Sequence, residues 1–300
     1  MALRLLVVVN GSAGTAEQEA VDRALTVLIA GAGVEVAATG DLDELAKALA
    51  RRDGRRVVVV GGDGSLHAAL QALHDADALD PAEPLGLVPL GTGNDLARTT
   101  GIPLDPAEAA AVALTGRARP LDLAVDDTGT VLVNAAHVGI GAEAGRWAHA
   151  WKPALGVAAY PLGAVAAGVV TAGVPLAVEI DEAMVQRPDH PVLMVGIANG
   201  GTIGGGAPLA PDATPDDGLL DIVIASGAGP LERVGYALDL RAGDHTGRDD
   251  VTVYRARTVT VRAMDGGSFS VNTDGEVTTG VLARSWTVHH HAWALLVPGG

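Results

Sequence analysis

Two aliphatic segments in the first third of the chain each run directly into a glycine-rich turn, and this arrangement restricts the folds open to it. Val57–Val60 ends in Gly61–Ser65 (GGDGS), and Leu85–Leu90 ends in the sequence GTGND. Apolar runs that alternate with helical segments are typical of parallel strands joined by helices. A turn after a parallel strand lies at the carboxyl edge of the sheet, where open α/β sheets bind ligands. The sequence therefore predicts a binding site in a doubly wound α/β domain.

The residues of the GGDGS turn favour a phosphate ligand. Gly61, Gly62 and Gly64 are predicted to adopt positive φ and to let the backbone approach a phosphate closely. A helix that starts near Ser65 would direct its unpaired N–H groups toward that phosphate. Asp63 would repel a phosphate unless a cation lay between them, so the turn also predicts Mg²⁺, held directly or through water. A tight turn without a ligand is the alternative, and the second Asp-bearing turn disfavours it.

Beyond about residue 120 the pattern changes to short strands separated by Gly, Asp and Pro, which predicts an antiparallel sandwich. The strand candidates are Leu121–Val125, Val131–Ala136, Leu176–Ile180, Val192–Ala198, Leu219–Ala225, Val251–Tyr254, Thr258–Ala263 and Ser268–Asn272. Helices are predicted only at 153–172 and 231–242. We expect a nucleotide-binding α/β domain at 1–120 and an all-β substrate domain at 121–286. The C-terminal segment 287–300 could form part of the first domain.

Composition and charge exclude several classes of function. The absence of cysteine excludes disulfides and thiolate zinc sites. A net charge of −16 argues against a nucleic-acid partner and against strong electrostatic docking on a membrane. The uncharged stretch 153–175 is long enough to span a bilayer, but its proline, glycines and alanines favour a helix buried in the protein. With no signal-peptide pattern, we expect a cytoplasmic protein; peripheral contact with the inner membrane face and a homodimer both stay open.

The motifs around the two turns resemble the diacylglycerol kinase catalytic-domain family, which includes bacterial lipid kinases and sphingosine kinases. GGDGS is similar to the family's G-G-D-G-T, and Pro89–Arg98 (PLGTGNDLAR) to P-x-G-T-x-N-D-x-A-R. Asn10–Gly14 (NGSAG) resembles N-P-x-S-G, although its second and fourth residues differ, and Thr39 falls where relatives have a nucleotide-contacting Thr. The resemblance implies that the first domain has a fold like that of NAD kinase and phosphofructokinase.

The resemblance continues through the second domain. Asn134–Ala144 looks like N-x-x-S-x-G-x-D-A, with a His in the Ser position and a Glu in place of Asp, and Leu155–Tyr160 resembles L-G-x-x-x-Y. Gly204–Asp221 is similar to G-G-G-x-x-x-A-P-x-A-x-x-D-D-G-x-L-D, and Asn272–Glu276 (NTDGE) to the D-G-E motif. The family transfers the γ-phosphoryl group of ATP to a lipid hydroxyl, so the resemblance implies ATP and Mg²⁺ as cofactors and a lipid alcohol as substrate.

Specific roles follow from the resemblance for residues of this chain. Asp274 or Glu276 would accept the proton of the attacking hydroxyl, Asp274 being favoured, and Asp63 and Asp95 would hold the catalytic Mg²⁺ through water. A structural Mg²⁺ would be held by Thr214, Asp217 and Leu219. The implied nucleotide contacts are Asn10, Gly11, Ser12, Ala13, Gly14, Thr39, Gly61, Gly62, Asp63, Gly64, Ser65, Leu66, His67, Thr92, Asn94, Asp95 and Arg98.

Other interpretations remain for these motifs and for the whole chain. NTDGE alone is a common hairpin turn, and the DDG sequence around Asp217 can form an Asx turn without an ion. In the triplet His289–His291, strand alternation lets only His289 and His291 converge, which disfavours a metal site there. A kinase closer to the NAD kinases, or a nucleotide-binding regulatory protein without catalysis, is the alternative to a lipid kinase.

Overall fold

The computed structural model describes residues 3–10, 15–139, 173–226, 230–264 and 266–299. The chain divides into two compact units. Unit 1 comprises residues 1–123, 129–133 and 289–300, and unit 2 comprises residues 124–128 and 134–288. The helix predicted at 153–172 and the loop 11–14 lie outside the described residues.

Unit 1 is built on a parallel sheet, as the alternating pattern predicts. Its strands are β1 (Arg4–Asn10), β2 (Gly33–Thr39), β3 (Arg56–Gly61) and β4 (Gly86–Pro89), in the order β2-β1-β3-β4. The runs Leu5–Val9 and Val57–Val60 are buried throughout, as expected for strands covered on both faces. The chain moves from β1 outward to β2 and then across to β3, so the carboxyl ends of β1 and β3 lie at a topological switch point.

Within the described residues unit 1 has five helices, and two of them begin at a local capping side chain. The five helices are α1 (Thr15–Gly31), α2 (Leu42–Ala50), α3 (Asp63–Asp75), α4 (Asp95–Thr100) and α5 (Pro106–Thr115). The Asp41 side chain begins α2 by accepting the N–H of Glu44 at 2.8 Å. Asp105 begins α5 in the same way, with Pro106 in the first turn. Helix α1 contacts α5, and α2 contacts α3.

The end of the chain completes unit 1. Strands β5 (Arg117–Asp126), β6 (Val131–Leu132) and β18 (Ala283–Val297) each place residues in this unit. The Leu85 N–H donates to the carbonyl of Ala294 at 2.9 Å, and the Leu296 N–H donates to the carbonyl of Leu85 at 2.8 Å. A single parallel bridge therefore joins the last residues of β18 to Leu85, just before β4.

Unit 2 is a sandwich of antiparallel sheets, which confirms the predicted fold class. One sheet contains β7 (Ala135–Gly139), β10 (Met194–Ala198), β13 (Leu220–Ala225), β14 (Val251–Ala256), β16 (Phe269–Thr273) and β17 (Glu276–Val281). Their order is β14-β13-β10-β7-β16-β17. The second sheet pairs β8 (Leu176–Ile180) with β9 (Ala183–Gln186) and β15 (Thr258–Ala263), and β15 with the first residues of β18.

Smaller elements cover one face of the first sheet. They are the hairpin of β11 (Thr202–Ile203) and β12 (Ala207–Pro208), helix α6 (Pro230–Ala242) and a 3₁₀ turn at His245–Gly247. On this face Met194 and Val223 share a buried cluster with Leu209 and with Tyr236 of α6. The alternate residues of β10 and β13, such as Ile197, are equally buried and point to the opposite face. The central strands are therefore apolar on both faces.

The regular elements that were not predicted from the sequence include α5, β9, β17 and the short hairpin of β11 and β12. The edge strands β9 and β17 are largely exposed and have no continuous buried apolar face, so their pairing partners rather than their own residues specify them. Within the described ranges, no helix is long and apolar enough to cross a membrane.

Candidate active site

The two glycine turns of unit 1 pack directly against each other. A Cβ atom on Gly62 would lie 2.8 Å from the Cα atom of Gly91, which no real side chain tolerates. The Leu90 N–H also donates to the carbonyl of Gly61 at 3.0 Å. The turns that follow β3 and β4 therefore form one continuous surface, which lies at the carboxyl edge of the sheet where the sequence predicts a binding site.

The GTGND turn is held in shape by its own Asn. The Asn94 Oδ1 atom accepts the N–H of Gly91 at 2.9 Å, and its Nδ2 donates to the carbonyl of Gly91 at 2.7 Å. Asn94 has a φ of 53° in the left-handed region, which Asn tolerates better than most residues. Its buried side chain thus shapes the turn.

Asp63 of the first turn caps the helix that follows the second turn. Its Oδ1 atom accepts the N–H of Leu96 at 3.4 Å, and the N–H groups of Asn94 and Asp95 also donate to this carboxylate. The side chain of Asn94 does not cap helix α4. Asp63 therefore supplies the acceptor for the N–H groups at the start of α4, which have no partner within the helix.

The carboxylates of Asp63 and Asp95 lie close enough for their charges to interact. Burial raises the pKa of Asp63, and the negative charge of Asp95 raises it further, while the backbone N–H donors of α4 act in the opposite direction. Asp95 itself is only 6% exposed. Two acidic groups that repel each other in a partly buried position are well suited to a divalent cation with oxygen ligands.

Two expectations about the GGDGS backbone are wrong. Gly62 has a φ of −86°, and neither Gly61 nor Gly64 is among the described glycines with positive φ. Gly61 and Gly62 are needed for space instead, because a Cβ on Gly61 would overlap the Ser65 side chain and one on Gly62 would lie 2.8 Å from the Cα of Gly91. In contrast, nothing lies within 4 Å of a Cβ on Gly64. Gly64 therefore borders open space.

Helix α3 also begins earlier than expected, at Asp63 rather than near Ser65. The N–H groups of Ser65 and Leu66 already donate to the carbonyl of Gly62, at 3.0 and 3.2 Å. The N–H groups of Asp63 and Gly64 belong to the first turn, which has no acceptor within its own helix. The Leu66 side chain is 1% exposed and belongs to the core, so it offers a ligand nothing.

The remaining predicted nucleotide contacts of unit 1 are distributed along the same edge. Asn10 and Thr39 end neighbouring strands and are paired in the parallel ladder. Thr92 and Arg98 are exposed, and the Arg98 Nε atom donates to the carbonyl of Gly93 at 3.0 Å. The other predicted contacts in the first loop, residues 11–14, lie outside the described residues.

Asp274 of unit 2 occupies a tight hairpin turn between β16 and β17. Its φ is 48° and that of Gly275 is 101°, the combination that a two-residue type I′ turn requires. Its Oδ1 atom accepts the N–H groups of Asn134 at 2.8 Å and Ala135 at 3.1 Å, and its own N–H donates to the carbonyl of Ala135 at 3.0 Å. This carboxylate is fixed in orientation, whereas Glu276 is exposed at the start of β17.

His137 lies at the centre of the same sheet, between Gly196 of β10 and Asn272 of β16. Burial lowers the pKa of this imidazole to about 4, so it is neutral at physiological pH. Within the described part of the chain, His137 Nδ1 and Asn134 Oδ1 are buried and make no hydrogen bond. Neither residue was predicted to belong to the site, although both lie in the NAAHVG segment.

Asp217 forms the Asx turn that was the alternative to a metal site. Its Oδ1 atom accepts the N–H of Leu219 at 3.0 Å, and its Oδ2 atom accepts the hydroxyl of Thr214 at 2.6 Å. The guanidinium of Arg255 also contacts Oδ2 and lies 3.5 Å from Asp221 Oδ1. No local pattern predicts this contact, because Arg255 is 38 residues away on β14.

Burial of Asp221 has an electrostatic consequence. Desolvation raises the pKa of Asp221 to about 6, with Asp217 and Asp212 contributing in the same direction and Arg255 opposing them. Arg255 therefore supplies positive charge to both Asp217 and Asp221.

Comparison with known proteins identifies the family. A model of the diacylglycerol kinase catalytic domain matches residues 4–125, and a model of the YegS C-terminal NAD kinase beta sandwich-like domain matches residues 134–297. A solved structure described as "a putative diacylglycerol kinase from Bacillus anthracis str. Sterne" has a TM-score of 0.81 with 21% identity, and the match covers 99% of this chain and 95% of that one. This likeness establishes the fold.

Curated relatives are similar over most of their length. A protein of Pseudomonas fluorescens named "Probable lipid kinase YegS-like" is 37% identical over 252 residues, which cover 82% of this chain and 78% of the relative. A protein of Pseudomonas aeruginosa with the same name is 36% identical over 251 residues, which cover 81% and 77%. Together with the two family models, these similarities show that the chain belongs to the YegS-like lipid kinases of the diacylglycerol kinase catalytic-domain family.

Proposed function

We propose that this chain transfers the γ-phosphoryl group of ATP to a hydroxyl group of diacylglycerol or a related lipid alcohol. The main support is the surface formed by the two packed glycine turns, which holds the carboxylates of Asp63 and Asp95 together at the ligand-binding edge of the sheet. Phosphoryl transfer depends on positioning and on neutralising charge more than on covalent chemistry. This surface supplies groups for both.

The nucleotide phosphates would bind against the first turn of α3. The open space beside Gly64 lets an oxyanion approach the backbone, and the N–H groups of Asp63 and Gly64 carry the positive end of the helix dipole. Asn10 and Thr39 end the adjacent strands on the same edge. The exposed guanidinium of Arg98 could bind a phosphate oxygen.

The residues present fit a catalytic Mg²⁺ at Asp63 and Asp95. The raised pKa of Asp63 reports repulsion and desolvation that a cation would relieve. Asp63 already accepts backbone N–H groups from α4, so contact through bound water suits it better than direct ligation. Mg²⁺ bound here would supply positive charge to the β- and γ-phosphate oxygens.

The acceptor hydroxyl would lose its proton to Asp274. A general base must be held in a defined orientation, and Asp274 is fixed by two backbone N–H donors while Glu276 is exposed. We therefore assign the base to Asp274.

Asp217 fits a structural Mg²⁺ less well. Both of its carboxylate oxygens are engaged, by Leu219, Thr214 and Arg255, and the guanidinium already supplies a positive charge. We derive no role for a cation there.

The experiment that tests this function offers labelled ATP and Mg²⁺ with a panel of acceptors in detergent micelles. The panel contains diacylglycerol, monoacylglycerol, ceramide and sphingosine, with NAD as the acceptor expected of a kinase closer to the NAD kinases. We expect label in a lipid phosphate. Label in NADP instead, or nucleotide binding with hydrolysis to water only, would contradict the proposal.

Two conservative variants separate the roles of the acidic residues in the DGE motif. Asp274→Asn keeps an oxygen that can accept the N–H groups of Asn134 and Ala135, so the hairpin should persist while lipid phosphorylation falls by roughly 10²–10⁴-fold. Glu276→Gln is the matched control and should retain most activity. The reverse pattern, with Glu276→Gln inactive and Asp274→Asn active, would move the base to Glu276.

A further inference from the structure

The histidine triplet near the end of the chain does not follow the alternation of a regular strand. His291 has a φ of 51°, a left-handed conformation that is uncommon outside Gly and Asn. This local break places the neighbouring rings of His290 and His291 in a stack, with centroids 3.6 Å apart and planes 27° apart. The expectation that only His289 and His291 converge is therefore wrong, because it assumed an unbroken strand.

Hydrogen bonds to Asp122 of β5 stabilise this irregular segment. Asp122 is 1% exposed, and its Oδ1 atom accepts the backbone N–H of His291 at 2.8 Å. The same oxygen lies 2.8 Å from Nδ1 of His290, and the Asp122 carbonyl accepts the indole N–H of Trp293 at 3.2 Å. All of these residues belong to unit 1.

This geometry fixes the tautomer of His290. Because Asp122 Oδ1 acts as an acceptor toward the backbone, it also accepts from the imidazole, so the proton of neutral His290 is on Nδ1. The lone pair is then on Nε2, in a side chain that is 52% exposed. Histidines that bind metals commonly donate their other ring N–H to a carboxylate in this way, which orients the ring and raises its basicity.

We propose that Asp122, His290 and His291 form a binding site for a divalent transition metal of the zinc class. Candidate ligand atoms of the three residues lie within 4.8 Å of one another. Ligand atoms of a tetrahedral zinc ion are about 3.3 Å apart when the metal–ligand distances are near 2.0–2.1 Å, so the two exposed rings would turn out of their stack to direct their nitrogen lone pairs at one ion. Imidazole nitrogen favours zinc, copper or nickel, whereas Mg²⁺ prefers oxygen ligands.

The proposed metal site shares no residue with the phosphate surface, and it binds a metal through imidazole nitrogen rather than through carboxylates alone. His290 and His291 supply the nitrogen ligands, water completes the coordination, and Asp122 orients His290 through its Nδ1–H. A bound metal would join the irregular segment of β18 to β5 within unit 1, and so stabilise the folded state over the unfolded one.

The test measures zinc binding by the full chain after treatment with a chelator. Zinc is titrated against a chromophoric indicator in buffer with an excess of Mg²⁺, which keeps the oxygen sites occupied. We expect one saturable zinc per chain in the wild type, together with a higher melting temperature when zinc is present.

Single variants decide whether this cluster is the site. His290→Ala and His291→Asn should each abolish the saturable binding; Asn is chosen because it tolerates the left-handed backbone. Asp122→Asn should weaken binding by about 10–100-fold. His289→Ala is the matched control and should bind as the wild type does. Unchanged binding in the first two variants, or an equal loss in the control, would overturn the proposal by showing binding elsewhere or only adventitious binding by a histidine-rich segment.

Discussion

The Cα atoms of Gly62 and Gly91 approach so closely that a Cβ on Gly91 would lie 2.6 Å from the Cα of Gly62 and 3.0 Å from Oδ1 of Asn94. Gly91→Ala must therefore separate the two turns or distort one of them. We expect the free energy of unfolding to fall by about 1–3 kcal/mol, measured by urea denaturation.

Gly64→Ala is the contrasting change at the same surface. Nothing lies within 4 Å of the new methyl group, and Ala is favoured over Gly in a helix, so the free energy of unfolding should stay the same or rise by up to about 1 kcal/mol. If phosphate binds beside Gly64, the KM for ATP should nevertheless increase. An unchanged KM would place the phosphate elsewhere.

Asp63 has two separable roles, as a cap for α4 and as a charge for a cation. Asp63→Asn can still accept the N–H of Leu96, so stability should change little while kcat falls by roughly 10²–10³-fold. Asp63→Ala should lose the same activity and about 1 kcal/mol of stability as well. Steady-state kinetics and thermal unfolding of both variants test this; near-normal turnover of Asp63→Asn would contradict the cation role.

His137 should make the protein less stable in mild acid. Its pKa is about 4 in the folded state and about 6.5 when unfolded, so only the unfolded chain takes up the proton between these values. The stability contribution of neutral His137 is thus present above pH 6.5 and is lost as pH falls toward 4. His137→Leu should gain stability relative to the wild type as pH falls through this window. A difference independent of pH would show that His137 is not buried as a neutral group.

Asp221 should change the pH dependence of stability in the opposite direction, over nearly the same range of pH. Its pKa is about 6 when folded and about 3.9 when unfolded, so its contribution to stability is complete below pH 3.9 and is lost as pH rises through 6. Asp221→Asn, which can still bond Arg255, should gain stability relative to the wild type as pH rises from 4 to 6. Urea denaturation at half-unit steps of pH measures the slope, and His137→Leu serves as the comparison of opposite slope.

The sequence predicted the elements whose own residues determine them. The all-valine run before GGDGS is a central strand because both of its faces are buried, and Asp41, a residue type that favours the N-cap position, begins α2. The start of α3 was misplaced because Asp63 and Gly64 are typical turn residues; an acidic residue in the first turn is also favoured by the helix dipole.

Other features depend on contacts between distant residues and could not be read from local patterns. The capping of α4 joins residues 33 positions apart, and Arg255 reaches Asp217 across 38 positions. The positive φ of His291 has no local sequence signal, since histidine rarely adopts it. For the candidate site, the sequence located the two turns and the Asp274 hairpin, whereas the packing of Gly62 on Gly91 emerged only from the fold.

The capping of α4 by Asp63 also bears on how this part of the molecule moves. A helix of six residues is too short to persist by itself, and α4 draws its N-terminal acceptor from the start of α3. Amide hydrogens of residues 94–96 should therefore exchange with solvent only when the beginning of α3 moves away, which makes the two turns a single cooperative opening unit. A nucleotide that immobilises one turn will consequently slow the opening of the other.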